Sequence, residues 1–192
     1  MNRTLDIINE LENSRVRKNI SKESIEFIFN ICKSINANNV LEIGTFNGYS
    51  ALWFSLCAKN VISLEFDKTS VDLANSNLDK AGVKNVKVVY GDALETLKNI
   101  NERFDVVLID AMKKQYKDYL VLSLKLLNEN GVIFADNTIS HKEDMKSFFD
   151  YLENSDLYYK ELNIGRGLLM ITKLDPEKLA WMTLSLESLK NT

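Results

Sequence analysis

Short apolar runs alternate with segments of helical period along most of the chain. Residues 40–43, 61–66, 86–89, 104–109 and 131–135 are β-rich and show little polar alternation, the pattern of parallel strands covered on both faces. Between them Val71, Ala74, Leu78 and Ala81 recur at helical spacing. So do Tyr116, Leu120, Leu124 and Leu127, and again Met145, Phe148, Phe149 and Leu152. Gly82 stands where a helix C-terminal glycine belongs, and Asn130-Gly131 predicts a turn into the fifth strand. Strands alternating with helices imply a doubly wound α/β sheet, mostly parallel, with right-handed crossovers. Residues 157–162 and 167–172 are separated only by a short stretch containing Gly165 and Arg166, which predicts an antiparallel hairpin at the end of that sheet.

Two helical segments flank this core. Residues 4–35 predict two helices, the second with Ile25, Ile28, Phe29, Cys32 and Ile35 on one face and Ser21 as its N-cap. After Pro176, the spacing of Leu179, Met182, Leu186 and Leu189 predicts a C-terminal helix. It would pack on its own sheet or against a second copy, so a homodimer is one expectation. The expected organisation is one domain over residues 1–192, with N-terminal helices in 1–37, an α/β core in 38–174 and the C-terminal helix in 175–192.

Composition narrows the class. A net charge of −3 gives no whole-molecule attraction to nucleic acid or an anionic membrane. The two cysteines, Cys32 and Cys57, have no metal-ligand spacing and read as buried thiols in a reducing compartment. No apolar run approaches the roughly 20 residues needed to span a bilayer. The first helix is polar and acidic, unlike a signal or transit peptide. A cytoplasmic location is therefore expected.

Chemistry concentrates at the carboxyl ends of the strands, where ligands of open α/β sheets sit. Gly44 and Gly48 follow the first strand and open a helix, letting the backbone approach a ligand. A dinucleotide turn would have glycine at position 46; here that residue is Phe46, which crowds a pyrophosphate but not a nucleoside with an amino-acid tail. Glu42, Glu65 and Gly91-Asp92 stand at neighbouring strand ends, Glu65 suited to two ribose hydroxyls and Asp92 to the adenine region. Tight strand–helix packing alone would also call for the two glycines. At the other end Asp110 closes the fourth strand and Asp136-Asn137 the fifth. Strands about 4.8 Å apart bring these groups together, and two carboxylates with an amide oxygen suit a hard cation such as Mg²⁺. Lys113 lies within reach as a general base. The aspartates are also ordinary helix N-cap residues. Trp53 and Phe54 read as core, and the sole histidine, His141, as a loop residue near the site.

The blocks LEIGTFNGYSAL, ISLE, GDALETL, FDVVLIDAMKKQYKDYL, GVIFADN and IGRGLLMITK resemble the cation-dependent class I O-methyltransferases, the group of catechol and caffeoyl-CoA O-methyltransferases. The resemblance covers residues 21–173 and implies the Rossmann-like class I methyltransferase fold with a reversed final hairpin. It implies S-adenosylmethionine as methyl donor and Mg²⁺, or a similar ion such as Mn²⁺ or Ca²⁺, on Asp110, Asp136 and Asn137. Lys113 would be the base, Glu65 the ribose ligand, Ser50 and Gly44 the methionine end, and Asp92-Ala93 the adenine neighbourhood. Three departures stand out. Met112 replaces a tryptophan of the catechol enzyme, its thioether still able to pack on the adenine of the cofactor, and Arg166 replaces an acidic residue common in the hairpin turn. The substrate-covering insertion after Asn137 is all but missing, so an open acceptor pocket with a reduced lid is expected.

A small hydroxylated, catechol-like molecule is the expected acceptor. A hydroxyuridine of transfer RNA is the alternative, with the basic run of Arg15, Arg17, Lys18 and Lys22 meeting phosphates. No interleaved aromatics of the kind that stack bases accompany that run. A non-catalytic module that binds S-adenosylmethionine is a further reading, weakened because the metal ligands and the base are all present. A nicotinamide-dependent oxidoreductase is disfavoured by Phe46.

Overall fold

The computed structural model describes residues 3–174. They contain one seven-stranded sheet: β1 (Asn39–Ile43), β2 (Asn60–Glu65), β3 (Val86–Tyr90), β4 (Phe104–Ile109), β5 (Leu127–Asp136), β6 (Tyr158–Leu162) and β7 (Leu168–Thr172). The spatial order is β3-β2-β1-β4-β5-β7-β6. Neighbours from β3 to β5 pair in parallel, and β7 runs antiparallel to both β5 and β6. The α/β class and the terminal hairpin follow the sequence pattern.

Alternation along the central strands feeds two apolar layers. Val40, Val106, Leu108, Phe134 and Met170 face one layer, where α1 (Arg3–Asn13), α2 (Lys22–Ser34), α3 (Tyr49–Ser55) and α4 (Lys68–Ala81) pack. Leu41, Val107, Ile109, Ile133 and Ile171 face the other, covered by α5 (Ala93–Lys98), α6 (Tyr116–Leu126) and α7 (Lys146–Glu153). Single-turn 3₁₀ helices at Lys113–Gln115 and Lys142–Met145 lead into α6 and α7. β1, β4, β5 and β7 are buried along most of their length, whereas β3 and β6 are edges with exposed positions. Ser21 caps α2 through the Ser24 N–H, and Gly82 ends α4 in the left-handed conformation, both as the sequence implies.

Some local expectations need correcting. The fifth strand begins at Leu127, four residues before the predicted start, because buried Leu127 pairs with Phe104 instead of ending a helix. Asn130-Gly131 is then not a turn; it lies in a register shift opposite the step from Phe104 to Val106. In α2 the buried face centres on Ile25, Ile28, Ile31 and Cys32, while Phe29 is half-buried and meets Trp53 edge-on at 5.2 Å. The C-terminal helix expected from Leu179, Met182, Leu186 and Leu189, with its candidate dimer face, lies outside the described residues. Among the described residues no helix is long and apolar enough to cross a membrane.

β1 sits between β2 and β4, so the crossovers leave it in opposite directions. This switch point opens a crevice at the carboxyl ends of the strands.

Candidate active site

A cavity of about 930 Å³ occupies that crevice. Of the residues expected to hold the cofactor, Gly44, Ser50, Glu65, Gly91, Asp92, Ala93 and Met112 line the cavity, whereas Glu42 and Gly48 do not reach its wall. The two loop glycines have different physical reasons. Gly44 has φ +99°, and a Cβ there would stand 2.1 Å from the Asp110 carbonyl oxygen, so β1 and β4 can converge only without a side chain. Gly48 has φ +79° and packs against Ala74 of α4, a helix–loop contact away from the cavity.

Glu65 is the peg of the loop. Its Oε2 accepts the Thr45 and Phe46 N–H groups at 3.2 and 2.9 Å, and its Oε1 accepts those of Phe66 and Asp67, each at 2.9 Å. These bonds hold Phe46 at φ 48°, a left-handed conformation that costs a non-glycine residue roughly 1–2 kcal/mol. A diol binding Glu65 would therefore take over backbone bonds, since a carboxylate offers about four acceptor positions. Asp92 caps α5, accepting the Leu94 N–H at 2.8 Å. Glu42 lies beneath the wall. Ser63 donates to its Oε2, and Oε1 has no partner among the described residues. Burial pushes the Glu42 carboxyl up to about 8, against the Ser50 and Ser63 hydroxyls.

The reaction end is set by register. Ile109 pairs with Ala135 across β4 and β5, so Asp110 and Asp136 leave the sheet side by side. Lys113 Nζ lies 2.9 Å from Asp110 Oδ1 and donates to Tyr116 Oη at 2.7 Å. That hydroxyl donates in turn to the Asp136 carbonyl at 3.1 Å. Burial and the Asp110 charge lift the Asp136 carboxyl to about 7, against the pull of Lys113 and Arg166. Asn137 Nδ2 donates to Asp136 Oδ2 at 2.6 Å, while Asp136 Oδ1 is buried with no partner among the described residues. Asn137 has φ 68°, a left-handed turn that asparagine tolerates. Asp110, Lys113 and Asn137 line the cavity, and Asp136 does not reach its wall. Among the described residues no three His, Cys, Asp or Glu side chains gather, so the candidate ligand set is two carboxylates and an amide.

Arg17, Lys18, Asn19 and Ile20, a strap between α1 and α2, also line the cavity. The hairpin turn holds them there. Arg166 donates from Nη1 to the Arg17 carbonyl at 2.8 Å and from Nη2 to the Asn19 carbonyl at 3.1 Å. A Cβ at Gly165 would stand 2.2 Å from Ser21 Oγ, so that turn and the start of α2 are in close contact. Arg15 donates to the Ile20 carbonyl and to Glu12, and stacks 5.4 Å over the Tyr49 ring. Of the basic run expected to meet phosphates, Arg15 is therefore used internally and Lys22 lies 3.9 Å from Glu26. Arg17 and Lys18 remain at the cavity, Lys18 over the Phe46 ring at 5.2 Å. His141 also lines it, with its Nδ1 2.9 Å from Ser140 Oγ. Asn19, Ile20, Gln115 and Tyr119 are wall residues that sequence reasoning missed. Arg166 in the hairpin turn was the one signal that could have pointed to this strap.

With this geometry in place, comparison with known proteins assigns the chain. Residues 6–155 match the O-methyltransferase family, and the chain belongs to it. It is similar to the catechol O-methyltransferase of Mycobacterium tuberculosis, 36% identical over 125 residues that make up 62% of this chain and 57% of that relative. It is similar too to the catechol O-methyltransferase of Niastella koreensis, 34% identical over 128 residues, 62% of this chain and 58% of the relative. The chain thus spans less than two thirds of the length of the curated relatives it matches. Among solved structures, the O-methyltransferase of Bacillus cereus in complex with S-adenosylhomocysteine superposes with a TM-score of 0.75 at 25% identity, covering 88% of this chain and 89% of that one. The S-adenosylhomocysteine-bound methyltransferase PaMTH1 of Podospora anserina shares the fold, with a TM-score of 0.81 at 23% identity and coverage of 91% and 89%.

Proposed function

We propose that the protein transfers the methyl group of S-adenosylmethionine to a hydroxyl oxygen of a small, catechol-like acceptor, assisted by a divalent cation such as Mg²⁺. One observation carries the reading. The Asp110–Lys113 ion pair lines the same cavity as the glycine loop, and the half-satisfied carboxylate of Asp136 lies just behind its wall beside Asn137.

The donor set fits a cation. Asp136 Oδ1 is a buried acceptor with no partner among the described residues, and hard dications prefer carboxylate and amide oxygens. Asp110, Asp136 and Asn137 would hold the ion, which when bound makes a coordinated hydroxyl more acidic. S-adenosylmethionine supplies an electrophilic methyl on a sulfonium. Tyr116 Oη and Asp110 fix Lys113 Nζ at the cavity wall; a dication held by Asp110 would disfavour the ammonium form, and the neutral amine would then take the hydroxyl proton. The acceptor oxygen forms the new O–CH₃ bond as the methyl–sulfur bond breaks, its electron pair staying on sulfur.

Ligand-induced stabilisation and one substitution test this. S-adenosylhomocysteine at 100 times its Kd should add about 2.7 kcal/mol of stability, read as a rise of several degrees in Tm, and NAD should add none. Asp136→Ala should keep that rise yet lose turnover on the order of 100-fold or more. Turnover undiminished in Asp136→Ala would overturn the assigned role.

A further inference from the structure

Arg166 has more donors than partners. A guanidinium carries five N–H groups; Arg166 uses one on the Arg17 carbonyl and one on the Asn19 carbonyl. Its nearest carboxylate oxygen, Asp136 Oδ2, is 4.0 Å away, beyond hydrogen-bonding distance. That contact is an ion pair without a hydrogen bond, and no further hydrogen bond from Arg166 is made among the described residues. Asn19 adds an independent sign. It lines the same cavity and is 5% exposed, yet its Oδ1 and Nδ2 are both buried without a partner among the described residues. Folded proteins pair nearly all such groups, so a buried, unpaired amide on a cavity wall marks a ligand contact. Arg17 lines the cavity as well, exposed and with no side-chain partner among the described residues.

We propose that Arg166 and Asn19, with Arg17 at the mouth, form an oxyanion subsite, and that the acceptor is a hydroxylated molecule bearing a carboxylate. This rests on the methyl-transfer reading above. A planar guanidinium matches a carboxylate with paired donors. Here two strap carbonyls already fix its plane, so little further ordering accompanies binding. Its closeness to Asp136 places the subsite at the reaction end, whereas Ser50, Glu65 and Asp92 stand at the cofactor end. A small acceptor is favoured over RNA because the basic run does not continue outward: Arg15 is tied to Glu12 and Ile20, and Lys22 stands by Glu26.

The test compares 3,4-dihydroxybenzoate with the uncharged 3,4-dihydroxybenzamide, which has the same diol and nearly the same shape. With S-adenosylmethionine and Mg²⁺ present, kcat/KM should favour the carboxylate at least tenfold, mostly through KM. Arg166→Gln should reduce that ratio at least tenfold, Asn19→Ala should reduce it less, and Arg166→Lys should retain part of it. A ratio near one in the wild-type protein, or one that Arg166→Gln leaves unchanged, would overturn the subsite. Calorimetric titration of the protein loaded with S-adenosylhomocysteine and Mg²⁺ separates the subsite from the chemistry. Tighter binding of the benzoate, lost in Arg166→Gln, supports the subsite even if neither compound is methylated, a result that would count against methyl transfer alone. If Arg166→Gln instead weakens S-adenosylhomocysteine binding by the same factor, the pair serves the cofactor's own carboxylate and the proposal fails. Preferential labelling of RNA would also overturn it.

Discussion

Glu42 is a carboxyl group enclosed by the core, with one oxygen bonded to Ser63 and the other unpartnered among the described residues. Burial raises it from the ordinary 4.5 to about 8. The folded chain therefore keeps a proton that the unfolded chain releases, and the sign follows. Its contribution to stability is fully present below about 4.5 and is lost as pH rises through about 8, at up to about 1.4 kcal/mol per pH unit inside that window. Glu42→Gln should flatten the decline of Tm between pH 5 and 8 in the ligand-free protein; equal slopes for the two proteins would contradict the account. Sequence reasoning found Glu42 through its position near a strand end, but not its enclosure, because the side chain's face depends on strand register. Asp110, Lys113 and Asn137 were legible for the opposite reason: they follow the last apolar residues of their strands. Asn19 carried no local signal. Its place on the wall is set by Arg166, 147 residues further along the chain.

At the scale of elements, two glycines with positive φ make a sharp contrast. A methyl group at Gly44 would enter the Asp110 backbone, whereas one at Gly82 would meet nothing within 4 Å. Gly44→Ala should cost on the order of 3 kcal/mol and, through Asp110, disturb the ion pair with Lys113. Gly82→Ala should cost only about 1 kcal/mol of left-handed strain. Tm values from thermal unfolding check the pair, and equal losses would contradict the convergence of β1 and β4. Strands were legible because those buried on both faces are uninterrupted apolar runs. The start of β5 was not, since Leu127 continues the apolar period of α6 and only its pairing with Phe104 makes it a strand. α5, six residues long, is too short to show a helical period. The strap between α1 and α2 is polar and irregular, and tertiary contacts from the hairpin turn give it its place.

On the scale of the whole molecule, two apolar layers fix a sheet whose switch point holds the cavity. The glycine loop, Glu65 and Asp92 line it together with Asp110, Lys113, Asn137 and Arg166. Fold class was readable because apolar strand runs alternate with helical periods along the chain. The place of residues 17–20 on the cavity wall was not, because it depends on bonds to the hairpin turn across the length of the chain. The central claim is methyl transfer to oxygen at the Asp110–Lys113 end, dependent on a divalent ion. Methyl-labelled S-adenosylmethionine, incubated with the protein and a catechol acceptor in Mg²⁺ or in EDTA, tests it directly when the product is identified by mass spectrometry. Label on a catechol oxygen in Mg²⁺ and none in EDTA is the predicted result. Equal label in EDTA, or none in Mg²⁺ from a protein that binds S-adenosylhomocysteine, would contradict it.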